Sequence, residues 1–390
     1  MKLVYVSNLR LPTEKANGLQ IMTMCDAFSR AGANVSLYYP YRIQPTKTLQ
    51  DANPFDFYGL PESFKLVELP NWDFIRLEKW LPRFIFTPLH FLWRLYWAKR
   101  AIKQLPKPDG DTIYFTRSRE FALWLTRAGY PTIYEAHSFP SEKLKSVYLK
   151  FIFKLDHMVV LTSFIKERFV ELGMDPKKIS IAPDGVNLSH YENLPPQSEI
   201  RTQLDLPLDR FIVGYVGRFH TMGMEKGIPE LIQAIGKMPE VNGKPPLLLC
   251  VGGPMKRVEK YKEIIKKNNV PLDRIQFHDR VPSHQVPLWI RACDIGTMVF
   301  PWTEHMAYYA SPMKLFEYMA AGVTILTSDL PSAREVLDES TAIFVAPEDP
   351  ESTLDGLIRA LDHPEIGQAA QAKINDYTWT KRAENILASL

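Results

Sequence analysis

Short apolar runs alternate along this chain with stretches of helical period. Leu3-Val4-Tyr5-Val6-Ser7 reads as a buried strand, a helix follows from Gly18 to about Arg30 and is closed by Gly32, and Val35-Ser36-Leu37-Tyr38-Tyr39 reads as the next strand. Ile113-Tyr114-Phe115, Thr132-Ile133-Tyr134 and Met158-Val159-Val160-Leu161 continue the series. This is the βαβ rhythm of a parallel, doubly wound sheet. The rhythm breaks near Pro195-Pro196 and restarts at Phe211-Ile212-Val213-Gly214-Tyr215-Val216. Further strands are expected at Leu247-Leu248-Leu249-Cys250-Val251, Ile275-Gln276-Phe277, Ile295-Gly296-Thr297-Met298-Val299 and Thr324-Ile325-Leu326-Thr327. The pattern therefore predicts two Rossmann-like α/β domains over residues 1–190 and 191–375, joined near 190–206, and a last helix over 376–390. No internal repeat or low-complexity tract stands out.

The most informative stretch is Tyr309-Ala310-Ser311-Pro312-Met313-Lys314-Leu315-Phe316-Glu317-Tyr318-Met319-Ala320-Ala321-Gly322. It reads as a loop entering a helix at Ser311-Pro312, where proline at the first helical position sacrifices no donor and the free amides beyond it form an anion site. Leu315, Met319 and Ala320 are placed to pack, Glu317 projects from another face, and Gly322 stops the helix. Amides for a diphosphate and a carboxylate for ribose hydroxyls suit a nucleotide sugar; an ordinary amphipathic helix with one exposed Glu is the alternative. Upstream, Gly214-Tyr215-Val216-Gly217-Arg218 ends a strand in a glycine turn, and Lys226-Gly227 precedes the helix that begins Ile228-Pro229-Glu230. Arg218 can give a forked contact and Lys226 a point charge to one diphosphate, with His220–Glu225 as a flexible stretch between them; a solvated turn carrying two cations is the alternative. Gly18 ends the first βα loop, Pro12–Gly18, where a glycine lets backbone approach a ligand or simply makes a turn. His137 follows the Thr132 strand, at the end where open α/β sheets bind ligands, with Glu135 placed to orient it or to cap the loop; a purely structural histidine is the other reading. Val251-Gly252-Gly253-Pro254 and Asp279-Arg280-Val281-Pro282 are two more strand-end loops, each a weak signal.

The stretch ending at Glu317 resembles the E-x7-E element of retaining glycosyltransferases of family 4, which have the two-domain GT-B fold. The resemblance runs along the whole chain, is strongest from Gly214 to Leu337, and includes the ending Tyr377-Thr378-Trp379-Thr380-Lys381-Arg382. It implies two doubly wound domains facing a cleft, with the last helix crossing back to the first. Glu317 matches the second acid, which contacts ribose. Tyr309 stands where the first acid, which contacts donor-sugar hydroxyls, would fall, so the departure bears on the sugar. By the same resemblance Arg218 and Lys226, beside Gly217, stabilise the leaving diphosphate together with the loop Ala310, Ser311 and Pro312. Gly18 faces the donor phosphates, His137 contacts the sugar, and Gly253, Arg280 and Val281 lie where the base is read. The implied reaction is retaining transfer from a UDP-sugar or GDP-sugar to a hydroxyl of a glycan or lipid-linked acceptor, with no cofactor and no metal. A nucleotide-sugar hydrolase or epimerase on this fold, and a catalytically silent nucleotide-sugar-binding subunit that anchors a partner, stay open; Tyr309 keeps the last alive.

Composition narrows the picture further. A chain of 390 residues is long enough for two or three domains, and a net charge of +3 is too small to argue for nucleic acid. Cys25, Cys250 and Cys293 lie far apart without metal-ligand spacing and suit a reducing compartment. Met1 runs directly into a strand, so no signal peptide is expected, and no uncharged run is long enough to span a bilayer. A cytoplasmic protein is the expectation. Residues 72–107 differ from the rest: Trp72, Phe74, Trp80, Phe84, Phe86, Phe91, Trp93, Tyr96 and Trp97 crowd among eight Lys and Arg and only two acids, Asp73 and Glu78. Aromatic rings interleaved with bases suit the headgroup layer of an anionic membrane on the cytoplasmic face; a helix pair packed on its own domain is the competing reading. Asp109-Gly110-Asp111 reads as a polar turn rather than a metal-binding pair.

Overall fold

The structure, a computed structural model, describes residues 1–140, 146, 148–221 and 223–390. The chain divides into two units, Met1–Pro183 together with Trp379–Leu390, and Asp184–Thr378. The first holds a seven-stranded sheet of β1 (Lys2–Val6), β2 (Asn34–Pro40), β3 (Lys65–Leu69), β4 (Thr112–Thr116), β5 (Thr132–Ala136), β6 (His157–Val160) and β7 (Ile179–Ile181), in the order β3-β2-β1-β4-β5-β6-β7. The second holds β8 (Ile212–Val216), a small hairpin of β9 (His220–Thr221) and β10 (Met224–Glu225), then β11 (Leu247–Val251), β12 (Ile275–His278), β13 (Ile295–Met298), β14 (Thr324–Ser328) and β15 (Ile343–Val345). Its six-stranded sheet runs β12-β11-β8-β13-β14-β15. Neighbours in both large sheets pair in parallel, for example Lys2 with Asn34 through Val6 with Tyr38, and Ile212 with Leu247 through Val216 with Val251.

Helices cover both faces of such sheets, so the central strands have no wet side. All residues of β8, β11, β13 and β14 are buried, and so are Leu3 to Val6 of β1. The edge strands β3, β7 and β15 are the ones the apolar pattern does not mark. They are short, and an edge strand with one neighbour need not be apolar throughout, as the exposed Lys65 and Glu68 of β3 show. The first helix spans Ala16–Arg30, so Gly18 lies within its first turn rather than opening it. Asp109 and Asp111 sit in an exposed turn before β4, where Asp109 accepts from Lys2 Nζ at 2.6 Å, Thr112 Oγ1 at 2.7 Å and the Asp111 amide at 3.2 Å.

The segment 72–107 divides its rings between two environments. Its main helix, Arg83–Ala101, packs one face on the helix Arg119–Arg127, with Trp97, Ala98 and Ala101 in a core shared with Leu69, Tyr114, Phe121 and Leu125. Trp97 is 5% exposed, and its indole donates to the Pro70 carbonyl at 3.3 Å. Trp93 stacks on Phe74 at 5.9 Å between ring centroids. The opposite face carries Ile85, Leu89, Leu92 and Tyr96, exposed and spaced as one helical stripe, beside Trp80 and Phe84 at 83% and 78% exposure. No described helix is long and apolar enough to cross a membrane.

The closing helix, Trp379–Ala388, belongs to the first unit and packs on the helix Ala16–Arg30. Trp379, Ala383 and Ile386 are buried, and so is Arg382. A buried guanidinium needs acceptors on every side. Arg382 Nη2 donates to Glu135 Oε1 at 2.9 Å and to the Ala182 carbonyl at 3.0 Å, and its Nε to the Pro183 carbonyl at 2.8 Å. Breaking one half of a buried ion pair leaves the other uncompensated. Arg382→Met should therefore cost about 3–5 kcal/mol in chemical denaturation, and adding Glu135→Gln should recover part of it. Additive losses in the double variant would show that the two groups act separately.

Candidate active site

In an open parallel sheet, the strand order reverses at one place, and the loops leaving the two strands there diverge to leave a crevice. In the second unit that place lies between β8 and β13. The turn after β8 holds Gly217, whose amide donates to the Val251 carbonyl at 2.7 Å. Gly217 has φ +146°, a conformation that favours glycine, and a Cβ there would lie 2.7 Å from Lys314 Nζ. Arg218 is exposed, and its carbonyl accepts from Tyr215 Oη at 2.7 Å. The stretch expected to be flexible, His220–Glu225, contains a hairpin instead: Thr221 pairs with Met224 and His220 with Glu225, while Met222 lies outside the described residues. Glu225 holds it down by accepting from Tyr261 Oη at 2.7 Å and pairing with Arg257 at 3.3 Å.

The hairpin delivers Lys226 into the interior. Lys226 is 7% exposed, its Nζ lies 3.9 Å from Met306 Sδ and 5.0 Å from the centroid of Phe300, and no described carboxylate pairs with it. Burial lowers its pKa to about 8. Phe300 follows β13, the other strand of the crevice. A second ammonium shares its ring: Lys314 Nζ is 5.6 Å from the Phe300 centroid and 3.6 Å from that of Tyr215. Lys314 Nζ is shielded from solvent and has no hydrogen-bond partner among the described residues. Burial first, then repulsion by Lys226, lowers Lys314 to about 7, against an opposing pull from Glu317.

Lys314 stands in the helix Met313–Ala321, whose start differs from expectation by one position. Pro312 is the capping residue rather than the first helical one, and its carbonyl accepts from the Leu315 amide at 2.9 Å. Met313 and Lys314 are the first two helical residues, whose amides have no carbonyl behind them within the helix. The Ser311 hydroxyl accepts from the Asp184 amide at 2.8 Å, which fixes the loop. Gly322 closes the helix with φ +67°. Tyr318 ties the helix to the sheet, its hydroxyl accepting from the Val216 amide at 3.0 Å. Glu317 is partly buried, and that burial raises its carboxyl to about 7, with Lys314 pulling the other way.

Tyr309 and Ala310 are buried. A π-helical turn, His305–Tyr309, sets Tyr309 beside Glu304, and the Tyr309 hydroxyl donates to Glu304 Oε1 at 2.6 Å. A carboxylate thus lies next to the tyrosine, carried by Glu304. Neither Glu304 nor Lys314 is singled out by sequence reasoning. The i to i+5 spacing of a π turn falls outside the 3.6 period, which hides Glu304. A signal for Lys314 exists: a cation in a first helical turn opposes the helix dipole. The remaining strand-end residues lie in this unit too. The Gly253 carbonyl accepts from the Phe219 amide at 2.7 Å, Arg280 is exposed with its amide on Asp279 Oδ1 at 2.8 Å, and Val281 packs on the core.

The first unit carries His137 and Gly18. His137 Nε2 lies 2.6 Å from Glu135 Oε1, which also accepts from Gln20 Nε2 at 2.9 Å and from Arg382. Arg117, just beyond β4, donates to Gln20 Oε1. Burial alone would raise Glu135, but Arg382, His137 and Arg117 outweigh it and hold the carboxyl far below its usual range. Burial and then Arg117 lower His137 to about 4, so its imidazole is neutral at neutral pH, donates from Nε2 to Glu135 and keeps Nδ1 as an acceptor. The close approach at Gly18 is to its own loop and neighbour: a Cβ would lie 2.3 Å from both Thr13 Cγ2 and Tyr58 Oη. Among the described residues no group of three or more His, Cys, Asp or Glu is placed to hold a metal ion.

Residues 18–190 match the family described as Glycosyltransferase Family 4, and residues 210–363 the family described as Glycosyl transferases group 1. A putative teichuronic acid biosynthesis glycosyltransferase, TuaC of Bacillus subtilis (strain 168), is 27% identical over 189 residues, which are 48% of this chain and 42% of that relative's length. Sucrose-phosphate synthase from Thermosynechococcus elongatus has a similar fold, with TM-score 0.70 and 17% identity over 99% of this chain and 97% of that one. So does Anabaena Alr3699/HepE in complex with UDP-glucose, with TM-score 0.69 and 16% identity over 100% of both chains.

The Glu135–His137 pair fixes how the fold responds to acid. The folded pKa of His137 is depressed from 6.5 to about 4, so its contribution to stability is complete above 6.5 and is lost as pH falls toward 4. Glu135, also depressed, contributes above 4.5 and loses its share on further acidification. Melting temperatures from pH 7 to pH 4 should fall less steeply for His137→Asn than for the parent chain. Parallel curves would mean that His137 titrates alike in the folded and unfolded states.

Proposed function

The chain belongs to the glycosyltransferases of family 4, built on the GT-B fold, and on that premise we propose that it moves a sugar from a nucleoside diphosphate sugar to an acceptor hydroxyl with retention of configuration. The observation that carries this reading is the strand-end crevice of the second unit, where Lys226 and Lys314 are buried without an oxygen acceptor beside a helix start. A diphosphate is the anion that such a place suits. In this reading Lys226 and Arg218 neutralise the departing diphosphate, with the amides at the helix start. Glu317 accepts from ribose hydroxyls. Tyr309 and its partner Glu304 face the donor sugar. The leaving phosphate oxygen takes the acceptor's proton on the same face of the sugar, so no protein nucleophile is required. Charge stabilisation and positioning supply most of the rate. UDP is the first nucleotide to test, because the Anabaena protein of similar fold is seen with UDP-glucose.

The acceptor reading rests on the aromatic and basic segment. The same segment exposes the stripe Ile85, Leu89, Leu92 and Tyr96, with Trp80 and Phe84, and the cations Arg76, Lys79, Arg83, Lys99 and Arg100 against one exposed acid, Glu78. Each such cation adds about 1 kcal/mol of attraction to an anionic surface, and the rings suit the headgroup layer. We assign this face to an anionic membrane and the acceptor to a lipid-linked glycan.

Two measurements test these assignments. Lys226→Ala should lower turnover of the preferred UDP- or GDP-sugar by on the order of 10²–10³, the usual loss for one charge-stabilising group, and a chelator should leave the parent enzyme active. Release of free sugar without any acceptor would point to hydrolysis instead. In liposome flotation, binding to anionic vesicles should fall with salt and fall again in Trp80→Ala/Phe84→Ala, whose melting temperature stays that of the parent. Trp97→Ala should instead unfold the first unit, losing about 3–5 kcal/mol. Absence of binding at low salt would transfer the acceptor reading to a soluble glycan.

A further inference from the structure

Lys314 is an ammonium buried without a partner, and the magnitudes say that this arrangement is incomplete. Removing an ammonium from water costs several kcal/mol even after relaxation. Its resident contacts are aromatic faces, Tyr215 at 3.6 Å and Phe300 at 5.6 Å, and a cation over a ring recovers only part of that cost. Lys226 adds repulsion instead of relief, because it sits over the same Phe300 ring at 5.0 Å. Glu317, on the next turn of the same helix, is the carboxyl whose charge acts on Lys314. Burial raises that carboxyl, so it does not supply a full counter-charge. Two cations therefore face at most one anion. The turn at Gly217 lies against the same atom: a Cβ there would be 2.7 Å from Lys314 Nζ. The first two helical amides, those of Met313 and Lys314 itself, start at the same place.

We propose that Lys314 is a ligand of the donor diphosphate, its ammonium completed jointly with Lys226 by phosphate oxygens of a nucleoside diphosphate. This rests on the donor reading above and adds to it the residue that senses whether the anion is present. The groups facing Lys314 are Tyr215 from β8, Cys250 from β11, Lys226 from the chain after the hairpin, Phe300 after β13, and Glu317 from its own helix; His305 faces Lys226. Without the anion, Lys314 gives up its proton near pH 7 and Lys226 near pH 8. A bound diphosphate restores both ammonium forms, so binding takes up protons wherever the free lysines are partly neutral. Affinity therefore falls as pH rises through this range, by up to about tenfold per unit for each proton taken up. Glu317 ionises over the same range, and its growing negative charge opposes the diphosphate, which is the same direction.

The test is calorimetric titration of the full chain with UDP, GDP and inorganic pyrophosphate from pH 6.5 to 8.5, in buffers of different ionisation enthalpy. The parent chain should bind one of the nucleoside diphosphates more weakly as pH rises and should take up protons on binding. Lys314→Met keeps the straight stem over Tyr215; it should bind on the order of 10–100-fold more weakly and take up fewer protons near pH 7 than the parent chain, Glu317 and Lys226 supplying what remains. As a check on the parent chain alone, the same nucleoside diphosphate should protect Lys314 from an amine-reactive label read by mass spectrometry. A parent chain that binds none of the three anions would overturn the donor reading as well. Unchanged affinity and pH slope in Lys314→Met, or labelling of Lys314 that the nucleotide does not slow, would overturn the role of Lys314 and leave the donor reading standing.

Discussion

A charge cannot be buried alone, and the two units of this chain answer that constraint in opposite ways. In the first unit, the Glu135 carboxylate is fully inside. It is met by Arg382, which arrives from the far end of the sequence, by Gln20 on the first helix, and by His137 two residues on. Leaving the Glu135 carboxylate unpaired would cost several kcal/mol, so the closing helix is held in this unit by its guanidinium as well as by its apolar face. In the second unit two ammoniums are inside and the protein provides aromatic rings in place of carboxylates. One unit pairs its buried carboxylate with a guanidinium, and the other sets two ammoniums against aromatic faces.

Both arrangements follow from parallel sheets covered on both faces. The buried positions of β1, β8, β13 and β14 hold no charged side chain, only apolar groups and a few hydroxyls, so charged chemistry is driven to the carboxyl ends of the strands. His137 follows β5, Arg117 follows β4, Gly217 follows β8 and Phe300 follows β13. The reversal of strand order between β8 and β13 then selects one crevice among the strand ends of the second sheet. A helix begins there at Met313, and a hairpin held by Glu225 brings Lys226 to the same ring. The site's rigidity comes from these supports: Tyr318 bonded to β8, Ser311 bonded to the Asp184 amide, and the Gly217 turn bonded to Val251.

The helix Arg83–Ala101 shows how one segment can satisfy two demands. Its inner stripe, with Trp97, Ala98 and Ala101, is ordinary core, while its outer stripe is as apolar and remains exposed. A contiguous exposed apolar face bordered by cations has a use that scattered surface leucines do not. Composition marks the segment as unusual. Only the packing shows that Trp80 and Phe84 face outward and Trp97 inward.

The sequence by itself determined the two parallel α/β units, their central strands, the helix that Gly322 ends and the strand-end positions of Gly217, His137 and Lys226, because these depend on local periodicity and turn chemistry. The edge strands β3, β7 and β15 escaped it, since β7 and β15 are only three residues long and β3 carries exposed Lys65 and Glu68. The ordered hairpin at residues 220–225 escaped it as well, because its anchors Tyr261 and Arg257 lie more than thirty residues away. Tertiary structure alone decided which charges are paired. Arg382 meets Glu135 across 247 positions, Glu304 reaches Tyr309 through a π turn, and Lys314 and Lys226 share Phe300 from separate elements. Local pattern fixes where a side chain starts, and the low dielectric around it, assembled from distant strands, decides which groups its charge meets.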